Sequence, residues 1–112
     1  MYSNELVKGT LKTIILKLLK ENGRMYGYEI TLAVKDITGG KIQITEGGLY
    51  PALHALEAEG ILTTETMNIG KRVRKYYKLS KTGSEEVLAR VKEFEEFVST
   101  MQTLLNLKPS LR

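Results

Sequence analysis

Hydrophobic positions at helical spacing predict three helices in the first half of the chain. In the first, apolar residues recur every three or four positions from Asn4 to about Glu21, with lysines on the other side. A similar series from Tyr26 to about Thr38 predicts a second helix, which Gly39-Gly40 ends. A third helix is expected from Thr45, a good N-cap residue, to Glu59, and Gly60 stops it.

Alternating and β-branched residues predict strands between and after these helices. Residues 41–44 (KIQI) alternate polar and apolar side chains and are too few for a helix, so they predict a brief strand. Residues 61–69 are rich in β-branched side chains, and residues 73–79 predict another strand. Gly70-Lys71 lies between these two segments at a turn, so the pair is expected to form a hairpin.

The last segment is a long predicted helix with a heptad pattern of apolar residues. Thr82-Gly-Ser-Glu85 matches a capping box, and the helix is expected to reach about Leu107, before Pro109. About 25 helical residues span ~37 Å, which is longer than a compact domain of ~80 residues covers. We therefore predict a dimer interface with a second copy, the alternative being packing on its own domain. The predicted seam comprises Val87, Val91, Phe94, Val98, Met101 and Leu105.

The order of these elements is that of a winged helix-turn-helix. Two helices support a third that can enter a groove of DNA, and the hairpin forms the wing. The expected fold class is α+β, mostly α, with a long C-terminal dimerisation helix. Residues 1–79 are expected to form the DNA-binding domain, and residues 80–112 the dimerisation helix.

The first turns of the third helix contain residues that disfavour a helix. Gly47 and Gly48 are poor helix formers, and Pro51 cannot donate a hydrogen bond to the carbonyl of Gly47. Tyr50 precedes the proline, so a bent or loosened turn is expected. Glycine permits close approach of the backbone to a surface, and free amides at a helix N-terminus can face a phosphate. The simpler alternative is that these residues only define a strand-to-helix turn.

The outward face of the third helix lacks Arg, Lys, Asn and Gln, the usual base-reading side chains. It presents Tyr50 and His54 beside alanines and glutamates. Phosphate contacts, apolar contacts with thymine methyl groups and DNA shape are therefore expected to carry more of any specificity. Glu57 and Glu59 are two residues apart and point in different directions on a helix, so they form no acid–base pair.

Positive charge is concentrated on the predicted hairpin. The net charge is +4, and residues 70–82 hold six of the 17 Lys and Arg residues and no acid. Such focused charge favours a polyanionic partner, the alternative being a solvated surface hairpin. Because strand residues alternate, Arg72 and Arg74 share one face with Tyr76, and Lys75 shares the other with Tyr77. The sequence leaves open which face meets DNA.

Composition argues against several other classes of protein. Hydrophobic residues make up 42% of the chain, which supports a folded core. There is no cysteine, and His54 is the only histidine, so no metal site is expected. We find no catalytic side-chain set and no phosphate loop, and predict neither an enzyme nor a cofactor. No apolar run approaches ~18 residues and the start carries no signal peptide, so a cytoplasmic protein without membrane contact is expected.

Four blocks of sequence resemble the PadR family of bacterial transcriptional regulators. They are Gly9-Thr10-Leu11, Met25–Ile30 (MYGYEI), Gly48–Leu62 (GLYPALHALEAEGIL) and Arg74–Gly83 (RKYYKLSKTG). Each block alone is a weak signal, but all four occur in order at matching spacings and cover nearly the whole chain. The length resembles that of the short subfamily, which has a single helix after the wing.

The resemblance implies a homodimeric repressor that binds double-stranded DNA through the third helix and the wing. It also implies dimerisation through the C-terminal helix. Many members have arginine where this chain has Ala55, which weakens the expectation of direct base readout. The residues expected to contact DNA are Thr45, Gly47, Gly48, Tyr50, Pro51, His54, Lys71, Arg72, Arg74 and Lys75.

Some relatives release DNA when they bind phenolic acids or flat hydrophobic drugs. In the drug-binding relatives an aromatic residue lies near the position of Phe94, between paired helices. Phe94 and Phe97 are therefore candidates for a pocket that takes a planar aromatic effector. The competing and favoured interpretation makes Phe94 plain dimer core.

Two other binding functions are alternatives to DNA binding. One is a winged-helix protein-interaction module without specific DNA binding, and the other is an RNA-binding module. The basic wing favours nucleic acid over a protein partner. The expected lack of an aromatic stacking sheet favours duplex DNA over single-stranded RNA.

Overall fold

The computed structural model describes residues 2–107, so Pro109 lies outside the described residues. Within this range the chain forms four helices and three strands. In chain order they are α1 (Asn4–Asn22), β1 (Arg24–Tyr26), α2 (Gly27–Ile37), α3 (Glu46–Ala58), β2 (Leu62–Ile69), β3 (Arg72–Leu79) and α4 (Lys81–Leu104).

The hydrophobic core lies between the first three helices and one face of the sheet. Most of the apolar helix faces predicted from the sequence are buried there, although Ile37 at the end of α2 is exposed, and Tyr77 and Leu62 close the core from the sheet. Burial of such side chains is the main source of stability in a domain of this size. The buried apolar residues of the helices are Leu11, Ile15, Leu16, Leu18 and Leu19 of α1, Ile30 and Val34 of α2, Leu49, Leu53 and Leu56 of α3, and Val87 of α4.

The sheet has the order β1-β3-β2, with both pairs antiparallel. The prediction of a strand over 41–44 is wrong, because β1 occupies the free edge of β3 instead. Residues 41–44 lack regular structure, and Ile42 and Ile44 pack against the core. Their alternation therefore reflects burial of two isoleucines and not strand pairing. The Ile42 amide donates to Thr38 Oγ1 at 3.1 Å, which ties the segment to the end of α2.

The predicted hairpin is confirmed as the wing. β2 and β3 pair from Leu62↔Leu79 to Ile69↔Arg72, which leaves Gly70 and Lys71 as the turn. Gly70 has φ +62°, a conformation that glycine adopts without strain. Together with α2 and α3, this hairpin confirms the winged helix-turn-helix and the α+β, mostly α class.

The start of α3 is capped as predicted, whereas the start of α4 is not. Thr45 Oγ1 accepts a hydrogen bond from the Gly48 amide at 3.2 Å, and α3 continues through Pro51 without a break. For α4 the predicted cap at Thr82 is wrong, because Ser80 Oγ accepts from the Gly83 amide at 3.0 Å. The Ser80 amide also donates to the carbonyl of Ile61 at 2.9 Å. α4 therefore begins fastened to the segment that joins α3 to β2.

The two halves of α4 lie in different surroundings. Val87 is 1% exposed, so it belongs to the core of its own domain and not to a surface seam. Val91 packs partly against the same core. Residues 92–100 are all exposed, and the described chain measures 54 × 29 × 25 Å. Burial therefore removes Val87 from the predicted seam, whereas the seam from Val91 onward stays a prediction.

Gly83→Ala tests the fastening of α4. A Cβ at this position would overlap the carbonyl oxygen of Ile61, a backbone atom that cannot rotate away. We expect the free energy of unfolding to fall by about 1–3 kcal/mol, the range for overpacked sites. Thermal and urea unfolding of the variant measure this change. Ser84→Ala, at the adjacent exposed position, is the matched control, and equal stability of both variants would contradict the steric account.

Candidate nucleic-acid interface

The N-terminal part of α3 presents the residues predicted to approach DNA. Thr45, Gly47, Gly48, Pro51 and His54 are all exposed. One detail of the prediction is corrected, because the Gly48 amide is taken by Thr45 and is not free for a phosphate. The glycines still leave the first turn of α3 without bulky side chains, so a flat surface can come close to its backbone.

Tyr50 does not point outward as expected. Its side chain is half-buried against the core, and its hydroxyl lies against α2. A Cβ built on Gly27 would come within 2.5 Å of the Tyr50 hydroxyl oxygen, which explains why glycine stands there. The ring of His54 lies 6.1 Å from that of Tyr50, centre to centre. Tyr50 therefore packs α3 against α2, and only the part of its side chain that stays exposed could contact DNA.

The tip of the wing carries two exposed basic residues, Lys71 and Arg72. Gly70 and Lys71 form the turn, and Arg72 begins β3 opposite Ile69. Ile69 and Val73 at this tip are exposed as well. The tip therefore combines positive charge with apolar surface and has no acid.

On one face of the sheet, Arg74 lies in an aromatic setting. Its guanidinium carbon is 4.0 Å from the centre of the Tyr26 ring, within cation–π range. Its Nη1 donates to the Tyr76 hydroxyl at 3.4 Å, and this hydrogen bond raises the pKa of Arg74, so the group stays charged. The Tyr26 and Tyr76 rings meet edge to face at 5.5 Å. The guanidinium carbon of Arg24 lies over the Tyr76 ring, 4.6 Å from its centre.

These tyrosines correct the expectation that the sheet carries no aromatic face. Tyr26 and Tyr76 are register partners on β1 and β3, so both rings stand on the side opposite buried Tyr77. Their rings are already covered by Arg74 and Arg24, and so do not offer open platforms for bases. Arg24 and Tyr26 are not predictable as part of this site from residue spacing, because that spacing indicates a helix from Tyr26, whereas Tyr26 ends β1.

Lys75 lies on the other face of β3, as the alternation predicted. Its Nζ is 3.6 Å from a carboxylate oxygen of Glu57 and 5.3 Å from the centre of the Tyr77 ring. Glu57 also accepts a hydrogen bond from the Thr64 hydroxyl at 3.3 Å. Lys75 therefore links the wing to α3, and its charge is partly balanced within the chain.

The carboxylates of α3 point apart, as predicted. Glu59 accepts a hydrogen bond from Lys12 at 2.9 Å and lies 3.6 Å from Arg90, whereas Glu57 faces Lys75. The hydrogen bond from Lys12 holds the pKa of Glu59 below its usual value. Both carboxylates are thus committed to separate ion pairs.

A cleft of about 570 Å³ separates the wing from the N-terminal ends of α2 and α3. Tyr28 and Tyr50 line its helical side, and Arg72, Arg74 and Lys75 line the side of the wing. The cleft brings the basic residues of the wing close to exposed Tyr28 at the start of α2, and residue spacing in the sequence does not predict this contact.

The part of the chain that the structure describes shows neither a metal-binding cluster nor a membrane-spanning helix. Between residues 2 and 107, no group of three or more His, Asp or Glu side chains is placed to hold a metal ion. Within the same range, no helix is long and apolar enough to cross a membrane.

The exposed C-terminal half of α4 carries the residues predicted to form the effector pocket and most of those predicted for the dimer seam. Phe94 is 39% exposed, Phe97 57% and Val98 38%, and Leu105 lies just beyond the helix. Phe94 and Phe97 line a groove of about 410 Å³ with residues of α1. They also line a second groove of about 530 Å³, which continues to Met101.

Comparison with known proteins identifies relatives of the whole fold. Residues 15–89 match the transcriptional regulator PadR-like family. A protein of Lysinibacillus sphaericus is 33% identical over 99 residues, which are 86% of this chain and 88% of that protein.

Solved structures give the same result. A transcriptional regulator from Clostridium thermocellum is 28% identical with a TM-score of 0.82, covering 92% of this chain and 97% of that one. A PadR family transcriptional regulator from Eggerthella lenta is 30% identical with a TM-score of 0.80, covering 93% and 88%.

Bacillus subtilis PadR, solved in complex with operator DNA, is 34% identical with a TM-score of 0.67. This match covers 73% of our chain and 46% of that protein. The family match extends over more than half of the sequence and includes α2, α3 and the wing, with part of α1 and of α4. The chain therefore belongs to the PadR-like family of transcriptional regulators.

Proposed function

We propose that this protein is a transcriptional repressor that binds operator DNA as a homodimer. The observation that carries the proposal is the wing, where Lys71 and Arg72 are exposed and Arg74 is held by tyrosines on the same hairpin. This charge lines one side of a cleft about 570 Å³ in volume, and Tyr28 of α2 and Tyr50 of α3 line the other. The relative from Bacillus subtilis that was solved with operator DNA supports the same partner.

In this proposal α3 enters the major groove and the wing follows the phosphate backbone. α3 presents Pro51, His54 and Ala55 where base-reading side chains would stand. Most of the binding energy is then electrostatic and independent of sequence. Specificity comes from apolar contacts, from His54 and from the shape of the DNA.

The proposed dimer forms through the exposed half of α4. The 24 residues of this helix are ~36 Å long at 1.5 Å per residue. Its C-terminal half keeps several large apolar side chains at the surface, and pairing with a second copy would bury them. In this proposal residues 1–79 supply the DNA contacts and residues 80–112 supply the dimer contacts. The first turns of α4 pack on the DNA-binding domain and so belong to both regions.

The proposed effector is a planar aromatic molecule bound at the dimer centre. Phe94 and Phe97 are exposed beside apolar grooves along α1, and a two-fold axis would bring four rings together. A ligand between these rings would release DNA only if it prefers a dimer with a different separation of the two α3 helices.

Salt dependence of duplex binding tests the DNA proposal. Each phosphate that is neutralised adds ~0.9 to the slope of log affinity against log salt. Arg72→Ala should lower this slope by about that amount and weaken binding to all sequences alike. Lys75→Ala should lower it less, because Glu57 already balances this charge. Fluorescence anisotropy with a random duplex at several salt concentrations gives the slopes.

The matched control is Lys92→Ala, which removes the same charge from the exposed part of α4. A steep wild-type slope that Arg72→Ala leaves unchanged would remove the wing from the interface. A flat wild-type response would contradict the proposed function and support a protein-interaction module instead.

A charge placed in the proposed seam tests the dimer. Val98→Glu would bury two like charges across the two-fold axis, so we expect monomers at micromolar concentration. Ala89→Glu adds the same charge to the same helix outside the seam and should leave the dimer intact. Sedimentation velocity measures both. A monomeric wild-type protein, or a Val98→Glu variant that remains dimeric, would contradict the arrangement.

Binding of a planar aromatic fluorophore tests the effector site. Ring contacts contribute ~0.5–1.5 kcal/mol each beyond burial, so Phe97→Ala should weaken binding by up to about tenfold. Phe97 is more exposed than Phe94, so its loss should cost less stability, and Leu88→Ala is the control on the same helix. If Phe94→Ala and Phe97→Ala bind the fluorophore as the wild type does, the site is elsewhere. If Phe94→Ala only lowers stability, Phe94 is dimer core.

A further inference from the structure

Arg74 differs from the other basic residues of the wing in how it is held. Its guanidinium stacks on Tyr26 at 4.0 Å and donates to the Tyr76 hydroxyl at 3.4 Å. Tyr76 is itself fixed between the edge contact with Tyr26 and the guanidinium of Arg24. Two strands and the start of α2 therefore fix the orientation of one arginine side chain.

Arg74 also differs from the neighbouring basic residues in how its charge is balanced. On the same sheet face, Glu65 pairs with Arg24 at 2.6 Å and lies 3.9 Å from Lys78. On the opposite face, Glu57 pairs with Lys75. Among residues 2–107 no carboxylate lies within 4 Å of Arg74, and its polar partner is the neutral Tyr76 hydroxyl. The carboxylate of Glu29 faces the side of the sheet that carries Arg74, but it accepts a hydrogen bond from the backbone amide of Tyr26.

We propose that Tyr26 and Tyr76 are positioning residues that hold Arg74 ready to bind a DNA phosphate. This inference rests on the proposed function and names the cation that anchors the wing. An arginine has five N–H donors, and the Tyr76 hydroxyl engages one, which leaves the others for phosphate oxygens. Arg74 lines the cleft between the wing and the start of α2, and its side chain is partly exposed there.

The physical advantage of this arrangement is that the Arg74 side chain is already immobilised before DNA binds. A free arginine loses side-chain freedom when it binds, at a cost equivalent to about 2- to 12-fold in affinity. Arg74 has already lost that freedom in the free protein, whereas exposed Arg72 has not. A lysine would keep the charge of Arg74 but lose the planar fork and much of the stacking. Charge and geometry can therefore be separated by substitution.

A double-mutant cycle on the full chain tests the coupling. Arg74→Lys should weaken binding to a random duplex by about 3- to 10-fold with little change in salt slope. Tyr26→Leu and Tyr76→Phe should each weaken binding as single variants but have no further effect in the Arg74→Lys background. Arg72→Lys is the matched control and should change affinity less than about twofold, without coupling to either tyrosine.

A second measurement needs no DNA. NMR relaxation of the arginine Nε–H groups should show Arg74 as rigid and Arg72 as mobile in the free protein. Tyr26→Leu should make Arg74 as mobile as Arg72. If Tyr26→Leu fails to fold, Tyr76→Phe, which removes only the hydroxyl, gives the same comparison.

The outcomes separate the two proposals. Additive losses in the cycle, or an Arg74 as mobile as Arg72, would overturn the positioning role even if the wild type binds DNA. A rigid Arg74 in a protein without salt-dependent DNA binding would overturn the proposed function, and the role of Arg74 toward DNA with it. Coupled losses with a rigid Arg74 would support both.

Discussion

Strand β3 is paired on both edges, and this constraint determines where every basic side chain of the wing lies. β1 and β2 fix its register, and Tyr77 must face the core because it is buried beneath the helices. Alternation then directs Arg74 and Tyr76 to the outer face and Lys75 toward α3. A shift of one residue would reverse both assignments and bury positive charge, so the hydrophobic core itself specifies the charged surface.

The same strand explains which parts of the fold could be predicted from sequence. Long helices with regular apolar spacing, and glycines such as Gly60 that end them, give strong local signals. β1 has three residues, too few to show any period, and exists only because β3 offers an unpaired edge. Residues 41–44 (KIQI) show the alternation typical of a strand, but no neighbouring strand of the described chain pairs with them. Strand pairing depends on tertiary contacts, so the spacing of residues in the sequence predicts the wrong structure for both segments.

The candidate site was predictable in part for similar reasons. The charge of the wing and the alternation of Arg74 and Lys75 follow directly from the sequence. The pairing of Lys75 with Glu57, and of Arg74 with Tyr26, joins residues 18 and 48 positions apart, which no local pattern shows. Tyr50 appeared outward because helical spacing cannot reveal that Gly27 leaves room for its ring.

The anchoring of α4 limits how an effector could act in the proposed dimer. Glu59 at the end of α3 pairs with Lys12 of α1 and Arg90 of α4, but exposed ion pairs of this kind contribute little alone. Buried Val87 and the contact of Gly83 with Ile61 hold the helix more firmly. α3 and the first half of α4 would then move as one body. A ligand beside Phe94 and Phe97 could change the distance between two α3 helices chiefly by altering how the exposed halves of α4 cross.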